Sequence, residues 1–172
     1  MKPVSLFLAL AAAAVAVLAC TPRSEPPSPT RAADTDAPDY AALQVELDAA
    51  RARWAAEQPA AYDLEFTWWC MLCGPERRNE VRVSVTSGSV SGVAYAYSGA
   101  DALPTPDPSH FHTVDELFAL VQQAIGDSAD RIVVEYSPGL GYPARFHTDP
   151  NQFVYDDEYG FTVAALTAPA KE

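Results

Sequence analysis

Basic side chains are scarce in this 172-residue sequence, which has 11 lysines and arginines against 23 aspartates and glutamates and a formal net charge of −12. A nucleic-acid-binding surface needs clustered basic residues, so this composition argues against nucleic acid as a partner. The same charge opposes electrostatic adhesion to anionic lipid heads. We therefore expect any attachment to a membrane to be covalent.

Familiar catalytic motifs are missing too. The sequence contains no G-x-S-x-G motif for a serine nucleophile and no glycine-rich phosphate-binding loop. Its many acidic residues form no recognisable motif for the hydrolysis of glycosidic bonds by a pair of carboxylates. The sequence thus predicts a protein that is not an enzyme and that needs no cofactor.

Cysteine is limited to three residues, and the first of them follows an apolar segment. Residues 6–19 are apolar or small, a run shorter than the roughly 20 residues of a transmembrane helix but typical of a signal-peptide core. The run ends in Val17-Leu18-Ala19-Cys20, which resembles the cleavage site of bacterial lipoproteins, although Leu18 replaces the usual small residue. We expect residues 1–19 to be a signal peptide and Cys20 to carry acyl chains such as palmitate. An ordinary signal peptide with an incidental cysteine, or an uncleaved anchor, is the alternative.

The segment that follows Cys20 is rich in proline and poor in large apolar residues. Such a composition cannot bury a core, so residues 20–37 are expected to be a lipid-anchored, disordered linker. The predicted location is the bacterial cell envelope, facing away from the cytoplasm. No aspartate follows the cysteine, which favours the outer membrane if the cell has one. The folded domain is expected over residues 38–167, with a tail over residues 168–172.

The spacing of apolar residues predicts two helices. Over residues 38–58 they recur every three or four positions. Asp36 and Asp39 can satisfy the free amides at the start of this helix, and Pro59 stops it. The second helix begins at the capping box Thr113-Val114-Asp115-Glu116 and is expected to end at Gly126.

Alternation of apolar and polar residues predicts six strands, three after each helix. Ser87-Gly88 forms a turn in the first set, and Gly92 marks a bulge that restores the alternation. The expected fold class is α+β, an antiparallel sheet with two helices on one face in the order α-β-β-β-α-β-β-β. The predicted strands are 62–69, 81–86, 90–97, 132–136, 142–146 and 159–163.

Several features follow one another along the chain: Trp54, Tyr62 to Phe66, the Cys70/Cys73 pair, Thr113 to Phe118, Gly141-Tyr142-Pro143, Asp149 and Asp156 to Glu158. Their order and spacing resemble a family of small bacterial lipoproteins that is known only as a domain of unknown function. The resemblance covers residues 50–166. It implies a small anchored domain at the cell envelope, and it does not indicate an activity.

Cys70 and Cys73 form an even pair in a chain that we expect to be exported, a pattern that predicts a disulfide. Residues three apart in an extended chain lie about 10 Å apart, so the bond requires a turn at residues 71–72. Trp69 and the two cysteines also resemble the redox motif of thioredoxin-like oxidoreductases, which needs a helix N-terminus at the first cysteine. Gly74-Pro75 and the strand that follows leave no room for that helix. A structural disulfide is therefore favoured over a redox-active one.

Three histidines and an acidic loop are the candidates for a metal site. The histidines would supply zinc ligands if the fold brought them together. Asp149 and Asn151 imitate the opening of a calcium loop, but the turn glycine and the final glutamate are missing. We expect loop histidines and solvated, turn-forming carboxylates, and no metal. The weak candidate ligands are His110, His112, His147, Asp149, Asp156, Asp157 and Glu158.

The aromatic residues give the remaining signal. Alternation places Trp69 on the opposite face of its strand from Trp68, with Tyr95 and Tyr97 on a nearby strand. Trp69 and these two tyrosines are a possible contact surface, and packing beneath a loop is the alternative. The favoured function is a lipid-anchored module that binds another envelope protein or a ligand through its sheet face. The alternatives are a thiol oxidoreductase, a metal-dependent enzyme and an acidic cation-binding protein.

Overall fold

The computed structural model describes residues 37–97, 99 and 103–169. The predicted signal peptide, Cys20, residues 21–36 of the predicted linker and residues 170–172 of the predicted tail lie outside the described residues. No described helix is long and apolar enough to cross a membrane. The helices and strands are α1 (Tyr40–Glu57), β1 (Ala61–Cys70), α2 (Pro75–Arg78), β2 (Val81–Thr86), β3 (Ser89–Tyr95), α3 (Val114–Gly126), β4 (Arg131–Tyr136), β5 (Pro143–Asp149) and β6 (Tyr159–Thr167).

The six strands form one antiparallel sheet in the order β3-β2-β1-β6-β5-β4. Each half of the chain supplies three consecutive strands, and β1 pairs with β6 in the middle of the sheet. The predicted α+β fold class and the order of its main elements are confirmed. The structure adds a 3-10 turn at Pro108–His110 and the four-residue helix α2. Neither of these two short elements was predicted, and α2 begins after Cys73, so it is not the helix that a redox motif would need at Cys70.

Local sequence signals set the ends of the two long helices. The Asp39 side chain accepts a hydrogen bond from the first turn of α1, and Thr113 and Glu116 form the predicted capping box of α3. Helix α3 ends at Gly126, as predicted, but this glycine is the last residue of the helix and does not have a positive φ. The positive φ that ends a helix is taken instead by Ser128, at 55°.

The hairpin between β2 and β3 also follows its sequence. Ser87 and Gly88 have φ values of 52° and 72°, as a tight hairpin turn requires. The pairing of β2 with β3 shifts between Ser84 and Val85, opposite Gly92, where the bulge was predicted. The shift keeps the apolar residues of β3 in phase with those of β2.

The two long helices cover one face of the sheet. Along β1 and β2, buried side chains alternate with more exposed ones, and the buried set joins α1 and α3 in one hydrophobic core. The largest fully buried side chains are Phe66, Phe118, Phe146, Phe161, Leu47, Leu64, Leu117, Val81, Val83, Val85, Val114 and Val121. This arrangement leaves the opposite face of the sheet without a helix among the described residues.

Candidate binding surface on the open face of the sheet

The face of the sheet that the helices leave uncovered is called the open face here. On the four strands β1, β6, β5 and β4, every second residue lies on this face. The register brings these residues into rows that run across the strands. Its residues include Thr67, Trp69, Gly160, Thr162, Arg145, His147, Arg131, Val133 and Glu135.

One row of the open face has an aromatic pair at its centre. Trp69 pairs across the strands with Gly160, which in turn pairs with His147, and His147 pairs with Val133. The rings of Trp69 and His147 meet above the glycine, with centroids 4.7 Å apart and planes inclined by 50°. A Cβ atom on Gly160 would collide with the carbonyl oxygen of Phe146. Glycine is therefore required here by the close approach of β5 and β6.

Beside this pair lies a hollow of about 460 Å³ on the open face. Two arginines and one glutamate lie along it, and an ion pair joins Arg145 to Glu135 at 3.7 Å between nitrogen and oxygen. Burial lowers the pKa of His147, and the nearby Arg131 guanidinium adds to that effect. The imidazole is therefore neutral near pH 7. The lining comprises Trp69, Arg131, Val133, Glu135, Arg145, Phe146, His147, Phe161 and Thr162.

The structure separates the candidate zinc ligands. The ring of His112 packs edge-on against Trp68 on the helix-covered face, with centroids 5.5 Å apart, whereas His147 lies on the open face. His110 lies in the 3-10 turn, where its carbonyl oxygen accepts a hydrogen bond from the Trp68 indole. Within the described residues, no three histidine, cysteine or acidic side chains are placed to hold a metal ion.

The acidic residues of the loop between β5 and β6 lie close to one another. Burial and the neighbouring charges of Asp157 and Glu158 raise the pKa of Asp149. One carboxylate oxygen of each of these three residues is buried without a hydrogen-bond partner in the described part of the chain. Asp156 occupies a left-handed turn position, with φ of 67°, which agrees with the expected turn-forming role.

The two cysteines behave as a structural pair. Cys70 and Cys73 are joined by a disulfide with Cα atoms 5.5 Å apart, and residues 71–72 make the predicted turn. Cys70 is the last residue of β1 and does not begin a helix. The four-residue helix α2 starts only after Cys73, at Pro75. The geometry thus differs from the helix N-terminal cysteine that thiol oxidoreductase chemistry requires.

The three candidate contact aromatics do not share one surface. Trp69 is 47% exposed on the open face. Tyr95 pairs with the buried Val81 at the edge of the sheet and packs against the core, and its hydroxyl donates to the carbonyl of Pro104. Tyr97 follows β3, and its hydroxyl donates to the Asn79 side chain. Only Trp69 joins the hollow.

A comparison with known protein families gives a match over residues 46–168 to a family of unknown function, DUF6174. The chain belongs to this family. No curated protein and no solved structure matches the chain. The DUF6174 region begins inside α1 and runs beyond the end of β6, so it contains all six strands and the whole open face. It does not include Cys20, and it assigns no activity to the hollow.

Most residues of the hollow were not predicted from the sequence. Arg131, Val133 and Glu135 alternate with the core residues of β4, and that alternation alone places them on the face opposite the helices. Their neighbours could not be predicted from the sequence. The pairing of β4 with β5 and of β5 with β6 determines which residues lie beside Trp69, and the alternation along one strand does not reveal that pairing. The alternation along β4 is the signal in this sequence that points to these three residues.

Proposed function

We propose that the protein is a non-enzymatic binding module of the bacterial cell envelope, held by lipid on Cys20, and that it binds another envelope protein through the open face. The observation that carries the proposal is the hollow beside Trp69, on the one face of the sheet that no described helix covers. A half-exposed tryptophan beside arginines is the composition of interface hot spots.

The charge of the hollow favours an acidic partner. Its lining holds Arg131 and Arg145 but only one acidic residue, Glu135, whereas the whole chain has a formal net charge of −12. Because Glu135 pairs with Arg145, the lining keeps a net charge of +1 through Arg131, which complements negative charge on a partner. Trp69 adds an apolar wall. The partner is therefore proposed to present a carboxylate next to an aromatic or aliphatic side chain.

Site-specific photo-crosslinking in cells tests this proposal. A photoreactive residue at Val133, which is 38% exposed in the hollow, is expected to crosslink one reproducible envelope protein that mass spectrometry identifies. The same residue at Val45, which is 70% exposed on α1, is the matched control. Cys20→Ser in the Val133 background is expected to weaken the crosslink strongly, because the protein then loses its covalent hold on the membrane and its local concentration there falls.

Charge reversal then tests the role of the arginines. Arg145→Glu is expected to abolish the crosslink from Val133, whereas Arg78→Glu, which changes an exposed arginine of α2, is expected to preserve it. Equal crosslinking from Val133 and Val45, or a crosslink that Arg145→Glu leaves unchanged, would refute binding through the open face.

A further inference from the structure

Two loops at one end of the sheet expose large apolar side chains. In the turn after β1, Met71 and Leu72 are 56% and 84% exposed, and in the loop between β5 and β6, Phe153, Val154 and Tyr155 are 84%, 49% and 94% exposed. We call residues 71–74 and 150–158 together the apolar tip. Single exposed apolar residues are ordinary, but a cluster of them marks a contact surface.

The sheet register places the two loops of the apolar tip side by side. Cys70, the last residue of β1, pairs with Tyr159, the first residue of β6. The chain therefore leaves β1 and enters β6 at the same end of two adjacent strands. Both loops therefore lie at that end of the sheet, next to Trp69 and its row of the open face.

The chain enters the folded domain at this same end. The hydroxyl of Tyr40, the first residue of α1, donates to the carbonyl oxygen of Ala129 at 3.0 Å. The next residue, Asp130, donates its amide to the Pro150 carbonyl at 3.4 Å, and its carboxylate accepts from the amide of Gln152 at 2.9 Å. The start of α1 is thus connected to the loop that carries Phe153 to Tyr155.

We propose that the apolar tip lies on the surface of a lipid bilayer, with Leu72, Phe153 and Tyr155 inserted at the boundary between headgroups and acyl chains. The proposed anchor precedes α1 in the sequence, so the chain coming from it reaches the domain at the end that carries these side chains. Leucine and phenylalanine bury apolar area in that boundary, and tyrosine is favoured at the headgroup level. A covalent anchor raises the effective concentration of the tip at the bilayer, so weak insertion suffices.

The charges of the apolar tip select the lipid. Asp156, Asp157 and Glu158 follow Tyr155 directly, and no lysine or arginine lies in residues 150–158. Anionic headgroups repel such a loop. The bilayer surface that fits is therefore zwitterionic. The inference uses the proposed lipid anchor to orient the domain, but the insertion of the loops is a separate property that an unlipidated protein retains.

Vesicle flotation tests the insertion. The chain from residue 20 with Cys20→Ser is expected to float with phosphatidylcholine vesicles. Leu72→Ser with Phe153→Ser is expected to weaken binding by roughly tenfold for each side chain, given the apolar area that each loses. Because both side chains are 84% exposed, their replacement leaves the core intact. Val45→Ser, which removes an apolar side chain that is 70% exposed on α1, is the matched control and is expected to bind as the parent does.

The lipid dependence and the oligomeric state complete the test. Weaker flotation with vesicles that also contain phosphatidylglycerol supports the proposal. Stronger flotation with them overturns it, because binding would then depend on basic side chains outside the apolar tip. The proposal is also overturned if the parent chain does not float, if the double variant floats equally well, or if the tip proves to mediate a dimer that the double variant abolishes in sedimentation. None of these results affects crosslinking from Val133, so the two proposals fail separately.

Discussion

Replacing Gly160 by alanine tests how closely β5 and β6 meet beneath the Trp69–His147 pair. The added Cβ would collide with the carbonyl oxygen of Phe146, and that oxygen belongs to the backbone of a neighbouring strand, which cannot rotate away as a side chain can. Overpacking of this kind costs about 1–3 kcal/mol. Alanine also lowers the conformational entropy of the unfolded chain, which stabilises the folded state by about 0.4–1 kcal/mol. We expect a net loss of about 1–2 kcal/mol in the free energy of unfolding, measured by urea titration of the unlipidated chain.

Gly92→Ala is the matched control for this prediction. Gly92 also lies in a strand, but nothing lies within 4 Å of the position that its Cβ would occupy. The control is expected to stay within about 0.5 kcal/mol of the parent. If Gly160→Ala unfolds at the same urea concentration as Gly92→Ala, the two strands can separate without cost, and the steric reason given for glycine at residue 160 is wrong.

Three further perturbations have expected outcomes. Thr113→Ala removes the side-chain oxygen that accepts from the Glu116 amide and is expected to lower the free energy of unfolding by about 1 kcal/mol in urea titration; an unchanged midpoint would contradict the capping role. Cys70→Ser with Cys73→Ser removes a disulfide that closes a very short loop, so it is expected to lower the free energy of unfolding by at most about 2 kcal/mol in urea titration. A double variant that no longer folds would contradict this expectation. Burial lowers the pKa of His112, although the Glu116 carboxylate opposes this shift. The unfolded chain therefore binds this proton more readily, and stability is expected to fall as the pH drops below about 6.5. His112→Gln should flatten this part of the pH profile, and an unchanged slope would exclude the histidine as its source.

Local patterns were enough to predict the main helices and strands. The capping box at Thr113 and the cap at Asp39 involve residues close together in sequence, so both caps can be predicted without knowledge of the fold. The alternation along β1 predicted that Trp69 faces away from the core, and it does. Helix α2 was missed because its four residues are too few to show a helical period.

The candidate site could be predicted only in part, because it depends on strand order. Trp69 and His147 come from opposite halves of the chain and meet only because β6 lies between β1 and β5. Short connections predict neighbours within each half but do not specify how the halves join. The sequence also understated the lengths of β5 and β6, since their ends at Asp149 and Thr167 lack the large apolar residues that mark a strand.

The pairing of β1 with β6 has a consequence for the order in which the protein assembles. The first strand of the chain has the last strand as one of its neighbours, so the sheet stays divided into two separate halves until residues 159–167 have been synthesised. Contacts between such distant parts of a chain form slowly. We therefore expect the pairing of β1 with β6 to close the sheet last, after each half has formed its own hairpins.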